Sequence, residues 1–424
     1  MATRMARVIV YSVLQRLRLP AAVVAALVVA EAAVLLLRPR DRLEPAPVAP
    51  QTYFSAEQIE RAVDFRSGQL WLFGLRLAIE LGVLVLIVRR PPARLRRAFR
   101  RPVLAGAGTA AALSVALTVA TLPVSAVSRE RAKDVGLVTQ GWVGWAGDVA
   151  KSTAIEGVLA AAGGALLVFA MRRFRRGWWA PAAALVVCFG IVMTYASPIV
   201  LDPLFNRFEP LPRGQLRSDV LELARKAGVD VGEVYEIDAS RRTTAANAYV
   251  AGLGGTKRVV LYDNLLEDFS PGEVRLVVAH ELGHVHHRDV PRGLLFLAVV
   301  APFGMFAVAR LGERLAPRGS LGTAAAVPAV VLGIAIMQPA LTMISNQLSR
   351  DVEARADRFA MELTGEPREL IGFQRRIAVQ NVSDPDPPAW VSFLLGTHPT
   401  TVQRIGQALS VSQEDRGGGT PAGP

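Results

Sequence analysis

Residues 322–345 read GTAAAVPAVVLGIAIMQPALTMIS, with no charged side chain among them. Coiled as a helix, such a run is about 36 Å long, more than the roughly 30 Å of a bilayer's hydrocarbon core. The residues that follow at once are Asn346-Gln347-Leu348-Ser349-Arg350-Asp351-Val352-Glu353-Ala354-Arg355-Ala356-Asp357, which are polar enough to require water or a folded protein around them. This junction sets the architecture: a membrane span that runs directly into a segment bearing carboxylates.

Six more apolar runs lie upstream, at about 20–37, 70–88, 103–126, 153–171, 178–199 and 293–311. Each is near the roughly 17–25 residues that a spanning helix needs. The chain of 424 residues is 51% hydrophobic, and its mean hydropathy is +0.32. The first run follows Arg4, Arg7, Arg16 and Arg18, and Ala30-Glu31-Ala32 imitates a signal-peptide cleavage site. The run continues to residue 37, longer than a signal-peptide core, and is read as a retained helix. Glu31, Arg76, Glu80 and Glu156 lie within these runs. They either face the interior and a hydrated cavity or sit near helix ends and snorkel.

The formal net charge is +12. In a chain with this many spans, arginine-rich connections mark the cytoplasmic side. No basic stripe interleaved with aromatics is present, so nucleic acid is not an expected partner. The single cysteine, Cys188, lies in an apolar run, which excludes an internal disulfide.

Two segments are large enough to fold outside the bilayer, about 202–291 and 346 onward. The intervening pair of spans returns both to one side, so they can form one catalytic unit. In the first, residues 215–227 place Leu216, Val220, Leu223, Ala224 and Ala227 on one helical face before Gly228. Residues 233–238, 258–262 and 248–255 read as short strands. Ser270-Pro271-Gly272-Glu273 is a capping box with proline at the first helical position. It opens a helix that leads into His280-Glu281-Leu282-Gly283-His284.

In that motif the two histidines are about 1.1 helical turns apart. Both imidazoles share a face and can hold one zinc ion, with Glu281 beside them. Zinc lowers the pKa of a water it polarises towards about 7, and Glu281 is placed to take the proton. A catalytic zinc site needs a third protein ligand. Glu353 is the candidate, and Asp357, four residues on and on the same helical face, would orient a ligating histidine. His286 and His287 read as solvated neighbours pointing away from the 280/284 face. His398, in Thr397-His398-Pro399, is either a surface residue or a donor to the oxyanion of a tetrahedral intermediate.

Taken together, these motifs resemble the integral-membrane zinc endopeptidases of the type I CAAX prenyl protease family. The resemblance extends from Tyr53 to about Ile405. It rests on Tyr53-Phe54-Ser55-Ala56-Glu57-Gln58-Ile59, Pro198-Ile199-Val200-Leu201-Asp202-Pro203-Leu204-Phe205-Asn206-Arg207-Phe208, Asn247-Ala248-Tyr249, HELGH, SRDVEARADRFA at 349–360 and Thr397-His398-Pro399, in that order. It implies one zinc per chain held by His280, His284 and Glu353, with Glu281 as general base and Asp357 behind the ligands. It further implies that His398 approaches the substrate or intermediate. Asn247 and Tyr249 would line a substrate strand that pairs with peptide by β-augmentation, and Arg404 would brace or contact that region. The family has seven spans around a large water-filled chamber.

The expected fold is therefore mainly α: a polytopic membrane protein with about seven transmembrane helices and a gluzincin-like zinc peptidase domain containing a small β-sheet. The expected division is residues 1–200 as spans one to five, 201–291 and 346–411 as the two parts of the catalytic domain, 292–345 as spans six and seven, and 412–424 as a disordered tail. The expected partners are the lipid bilayer and a peptide or protein substrate, either lipidated or membrane-associated. Rival readings are a heat-shock-type membrane metallopeptidase, a site-2 protease, an inactive membrane scaffold with a zinc site, or a channel. Seven spans disfavour the first, and Glu273, Arg275, Arg288, Asp289 and Arg292 around the motif disfavour burial in lipid as in the second. Intact Glu281 disfavours the third.

By parity, the N-terminus, residues 89–101 with seven arginines and residues 172–177 with four lie on one side. The catalytic segments lie on the other, which places the active site outside the cytoplasm. Eukaryotic members of the family face the cytosol instead. An extracytoplasmic site disfavours prenylated CAAX tails as substrates.

Overall fold

The computed structural model describes residues 2–40, 44–96, 99–252, 254 and 257–417, with the side chains of 2–16, 96 and 414–417 outside the description. Five long helices come first: α1 (Ala2–Leu37), α2 (Ala56–Arg89), α3 (Pro102–Asp134), α4 (Trp142–Arg173) and α5 (Trp179–Val200). A mixed unit follows, in the order β1 (Phe208–Pro210), α6 (Gln215–Lys226), β2 (Glu233–Ile237), β3 (Ala248–Ala251), β4 (Arg258–Tyr262), α7 (Asp263–Asp268) and α8 (Pro271–His286). Then come α9 (Asp289–Leu315), α10 (Val327–Thr364), α11 (Pro367–Gln380), α12 (Ala389–Leu395) and α13 (Thr401–Gly417). Among the described residues, seven helices are long and apolar enough to cross a membrane: α1 to α5, α9 and α10. This is a mainly α, polytopic membrane protein with one small sheet.

The spans touch in a cycle: α2 packs on α3, α3 on α4, α4 on α5, α5 on α9, α9 on α10 and α10 on α2. Helix α1 lies against α9 and α10. Trp71, Val119, Phe169 and Phe189 remain exposed, as suits helices whose solvent is lipid. Of the ionisable residues inside the runs, Glu31 accepts from Gln347 Nε2 on α10 at 3.2 Å, so it faces a neighbouring helix. Arg76 and Glu80 pair with each other along α2 at 2.9 Å.

Helix α10 has 38 residues, about 57 Å at 1.5 Å per residue. Its apolar half ends near residue 345, and the polar helix beyond it completes an element that also packs on α8, α11 and α13. Helix α8 leads into span α9 through a two-residue break. Helix α8 and the second half of α10 are thus extensions of one helical hairpin.

The sheet has the order β1-β2-β4-β3, with β2 and β4 parallel and both outer pairs antiparallel. Strand β3 is therefore an edge. Its pairing stops at Ala251, short of the glycines to which the strand was expected to reach, and Gly252 adopts φ 107°, a conformation suited to glycine. Val259 and Leu261 of β4 pack with Leu276, Val278 and Leu282 of α8 and with α6, all inside one core. The expected capping box is present: Ser270 Oγ accepts from Glu273 N at 3.2 Å, and Glu273 Oε2 accepts from Ser270 N at 2.8 Å.

Helix α13 continues to Gly417, into the tail expected to be disordered from residue 412. The extension has a local cause: Val411 packs on the core, and Ser412 Oγ donates to Ala408 O at 2.8 Å. Residues 418–424 lie outside the described residues.

Candidate active site

Helix α8 brings His280, Glu281 and His284 together because their spacing matches its turn. Gly283 lets α10 approach: a Cβ there would meet Phe359 Cδ1 at 3.0 Å and Ala356 Cα at 3.5 Å. That contact carries Glu353 to the two imidazoles. His280 Nε2 lies 3.2 Å from His284 Nε2 and 3.2 Å from Glu353 Oε2, and His284 Nε2 is 3.7 Å from Glu353 Oε1.

These separations test whether the residues suit a metal. Zinc bonds of 2.0–2.1 Å in tetrahedral array put neighbouring donor atoms about 3.3 Å apart. The two 3.2 Å separations match that spacing, the 3.7 Å one to the other Glu353 oxygen is somewhat longer, and Glu353 Oε2 is buried without a hydrogen bond. The set of two imidazoles and a carboxylate fits zinc. Glu281 also comes close, with its carboxylate within 4.8 Å of the histidine donors. Both carboxylates thus lie within reach of the histidine pair, with Glu353 at 3.2 and 3.7 Å.

Behind each imidazole stands a carboxylate. Asp357 Oδ1 lies 2.9 Å from His280 Nδ1, and Asp357 is completely buried. Arg404 donates to it twice, Nε to Oδ2 at 2.7 Å and Nη2 to Oδ1 at 2.5 Å. The guanidinium of Arg404 is therefore engaged by Asp357, and Arg404 also lines the cavity beside the site. Asp289, which the sequence reading did not single out, lies 3.0 Å from His284 Nδ1. The signal was a carboxylate five residues after the second histidine, but five residues is not a face-sharing interval on a helix.

A cavity of about 480 Å³ opens beside the site, lined by His280, Glu281, His398, Asn247, Tyr262 and Phe373, among others. Residues 243 and 245–247, which lead into edge strand β3, rim the same cavity. Asn247 O accepts from Tyr262 N at 3.1 Å, and its side chain accepts from Ala248 N at 2.9 Å. Tyr249 is not among the cavity's lining residues. Its hydroxyl donates to Asp202 Oδ2 at 2.9 Å, tying the strand to the exit of span α5. His398 reaches the site from the loop before α13, with Nε2 3.3 Å from Glu353 Oε2 and Nδ1 2.9 Å from Thr397 Oγ1. His286 and His287 point elsewhere: His286 stacks on Phe359 and its Nδ1 lies 2.8 Å from Ala227 O.

Burial pushes the Glu281 carboxyl above its ordinary range, and the adjacent imidazoles partly offset this. A carboxylate held in this way is a better proton acceptor than one in water.

Comparison with known proteins places this geometry in context. Residues 210–412 match the model of peptidase family M48, and residues 77–207 match that of the CAAX prenyl protease N-terminal region of five membrane helices. An uncharacterized metalloprotease, YhfN of Bacillus subtilis, is 32% identical over 306 residues, covering 70% of this chain and 71% of that protein. A CAAX prenyl protease 1 homolog of Oryza sativa is 32% identical over 225 residues, but the match spans only 52% of its length. The crystal structure of S. mikatae Ste24p superposes with a TM-score of 0.69, covering 93% of this chain and 98% of that one. At 20% identity, that likeness concerns the fold alone.

Proposed function

The chain belongs to peptidase family M48, and from that premise we propose how this integral-membrane metalloendopeptidase cleaves its substrates. The observation that carries the reading is the convergence of His280, His284 and Glu353 at the spacing of zinc ligands. One zinc per chain would supply a polarised, readily ionised water and an electrophile for the scissile carbonyl.

The protein's own groups do the rest. Glu281, kept basic by burial, removes the proton from the attacking water and returns it to the leaving amine. His280 and His284 would hold the metal through Nε2, and Asp357, 2.9 Å from His280 Nδ1, would fix the orientation of that ring. When the Thr397 hydroxyl donates to His398 Nδ1, Nε2 of that ring carries the hydrogen and can donate to the oxyanion. The substrate lies extended along the open edge of β3, where backbone pairing gives affinity without reading side chains. Asn247 faces the cavity at the start of that strand, Tyr249 anchors the strand to Asp202, and Arg404 braces Asp357 behind the ligands. In purified full-length protein in detergent, a chelator should abolish cleavage of a fluorogenic peptide and added zinc should restore it. Cleavage that persists after the metal is stripped contradicts the reading.

We further propose that the site faces away from the cytoplasm. The helix ends and connections at the opposite end of the spans hold Arg89, Arg90, Arg94, Arg96, Arg100 and Arg101, then Arg172, Arg173, Arg175 and Arg176, then Arg314 and Arg318. Contacts between connections support the parity. Thr244 N donates to Leu137 O at 3.2 Å, joining the α3–α4 connection to the catalytic unit. Arg172 Nη1 donates to Gly322 O at 3.5 Å, joining the α4–α5 and α9–α10 connections. The substrates are then peptides or membrane-protein segments reached from outside the cytoplasm, and cytosolic prenylated tails are disfavoured. In sealed right-side-out vesicles, an added protease should cut the catalytic unit without detergent. Protection until detergent is added would reverse the assignment.

A further inference from the structure

Asp289 is the first residue of α9 and lies five positions beyond His284. In an unbroken helix it would sit about 140° around the axis from that histidine, out of reach. It reaches His284 because Arg288 adopts φ 56° and ψ 45°, a left-handed conformation that costs a non-glycine residue roughly 1–2 kcal/mol. The turn ends α8 and points the first side chain of α9 back towards the imidazole. The result is a 3.0 Å contact between Asp289 Oδ2 and His284 Nδ1.

The surroundings of Asp289 distinguish it from an ordinary acid at a helix start. Its side chain is only 7% exposed, although it belongs to a helix that leads into the bilayer. Its other oxygen accepts from Arg355, and Arg292 approaches the same oxygen at 3.4 Å. Arg355 comes from α10, the helix that also carries Glu353 and Asp357. A favourable interaction with the helix dipole explains an acid in the first turn. It does not explain one that is buried, held by an arginine and set against the back of an imidazole whose front faces Glu353.

We infer that Asp289 is a positioning residue for His284, the counterpart of Asp357 for His280, and that Arg355 fixes it as Arg404 fixes Asp357. The inference rests on the zinc-site reading above. By accepting the Nδ1 hydrogen, Asp289 fixes the tautomer that leaves Nε2 free for the metal, sets the ring plane and makes the imidazole a stronger donor. Helix α10 thereby controls the whole ligand set: Glu353 binds, Asp357 orients one histidine, and Arg355 holds the group that orients the other.

The test is zinc affinity, measured by chelator competition on full-length protein in detergent, for wild type, Asp289→Asn and Asp289→Ala. Losses of such partners typically weaken metal binding 10–100-fold, and a loss in that range is expected for Asp289→Ala. Asp289→Asn can still accept a hydrogen bond but lacks the charge, so a loss of about threefold or more is expected. The absorption bands of the cobalt-substituted variants should shift, which an effect on folding alone would not produce. If Asp289→Ala does not fold, Asp289→Asn decides. Affinity within twofold of wild type in any folded variant overturns the inference. Failure of the wild type itself to bind zinc would instead overturn the zinc-site reading.

Discussion

Glu281→Gln is expected to lower kcat/KM about a thousandfold while leaving one zinc bound per chain. The size follows from the 10²–10⁴-fold contribution typical of a positioned general base. Glutamine keeps the shape and polarity of the side chain but cannot take the proton. Retention of zinc matters as much as the loss of rate, because Glu281 lies within 4.8 Å of the histidine donors and its assignment as base competes with a role as ligand. If the metal leaves with the carboxylate, Glu281 is the ligand. The pH profile gives a second readout. The base works only when ionised, and burial raises its pKa. Activity should therefore fall with decreasing pH through a limb that lies above the ordinary carboxylate range, and Glu281→Gln should lose that limb.

Glu353→Ala is expected to do the opposite to the metal. In the proposed site the carboxylate would be the third donor, 3.2 Å from His280 Nε2, and it alone comes from α10. Without it the two imidazoles hold zinc from one side only. Affinity should fall by more than about a hundredfold, the upper end of what outer partners contribute, and peptidase activity should fall with it. Excess zinc should restore little, since solvent fills the vacated position. A variant that keeps stoichiometric zinc at wild-type affinity would show that another group completes the site. Dialysis followed by elemental analysis distinguishes the two outcomes.

How much was legible in the sequence depends on how local each determinant is. Spans are written as uninterrupted apolar composition, so all seven could be located, and their long polar extensions were visible at the seam after Ser345. The α8 start was legible because a capping box is a four-residue device. The histidine pair was legible because an interval of four is one turn of helix. Glu353 could be nominated from a motif, but its distance from the histidines depends on Gly283 lying against Ala356 and Phe359, a packing event between helices that the sequence does not encode locally. The role of Asp289 was hidden for a sharper reason. Its contact requires a left-handed arginine at 288, and sequence patterns reserve that conformation for glycine or asparagine. Arg404 and Tyr249 were attributed to the substrate from motifs alone, and the sequence did not show that their polar ends meet Asp357 and Asp202, partners 47 residues away in each case. Such long-range pairings are set by the tertiary fold.

The most direct test of the account is zinc-edge X-ray absorption on the purified, zinc-loaded full-length protein. Two imidazole nitrogens at about 2.0–2.1 Å are expected, with every remaining donor an oxygen. Scattering from one imidazole, or from three or more, would contradict it.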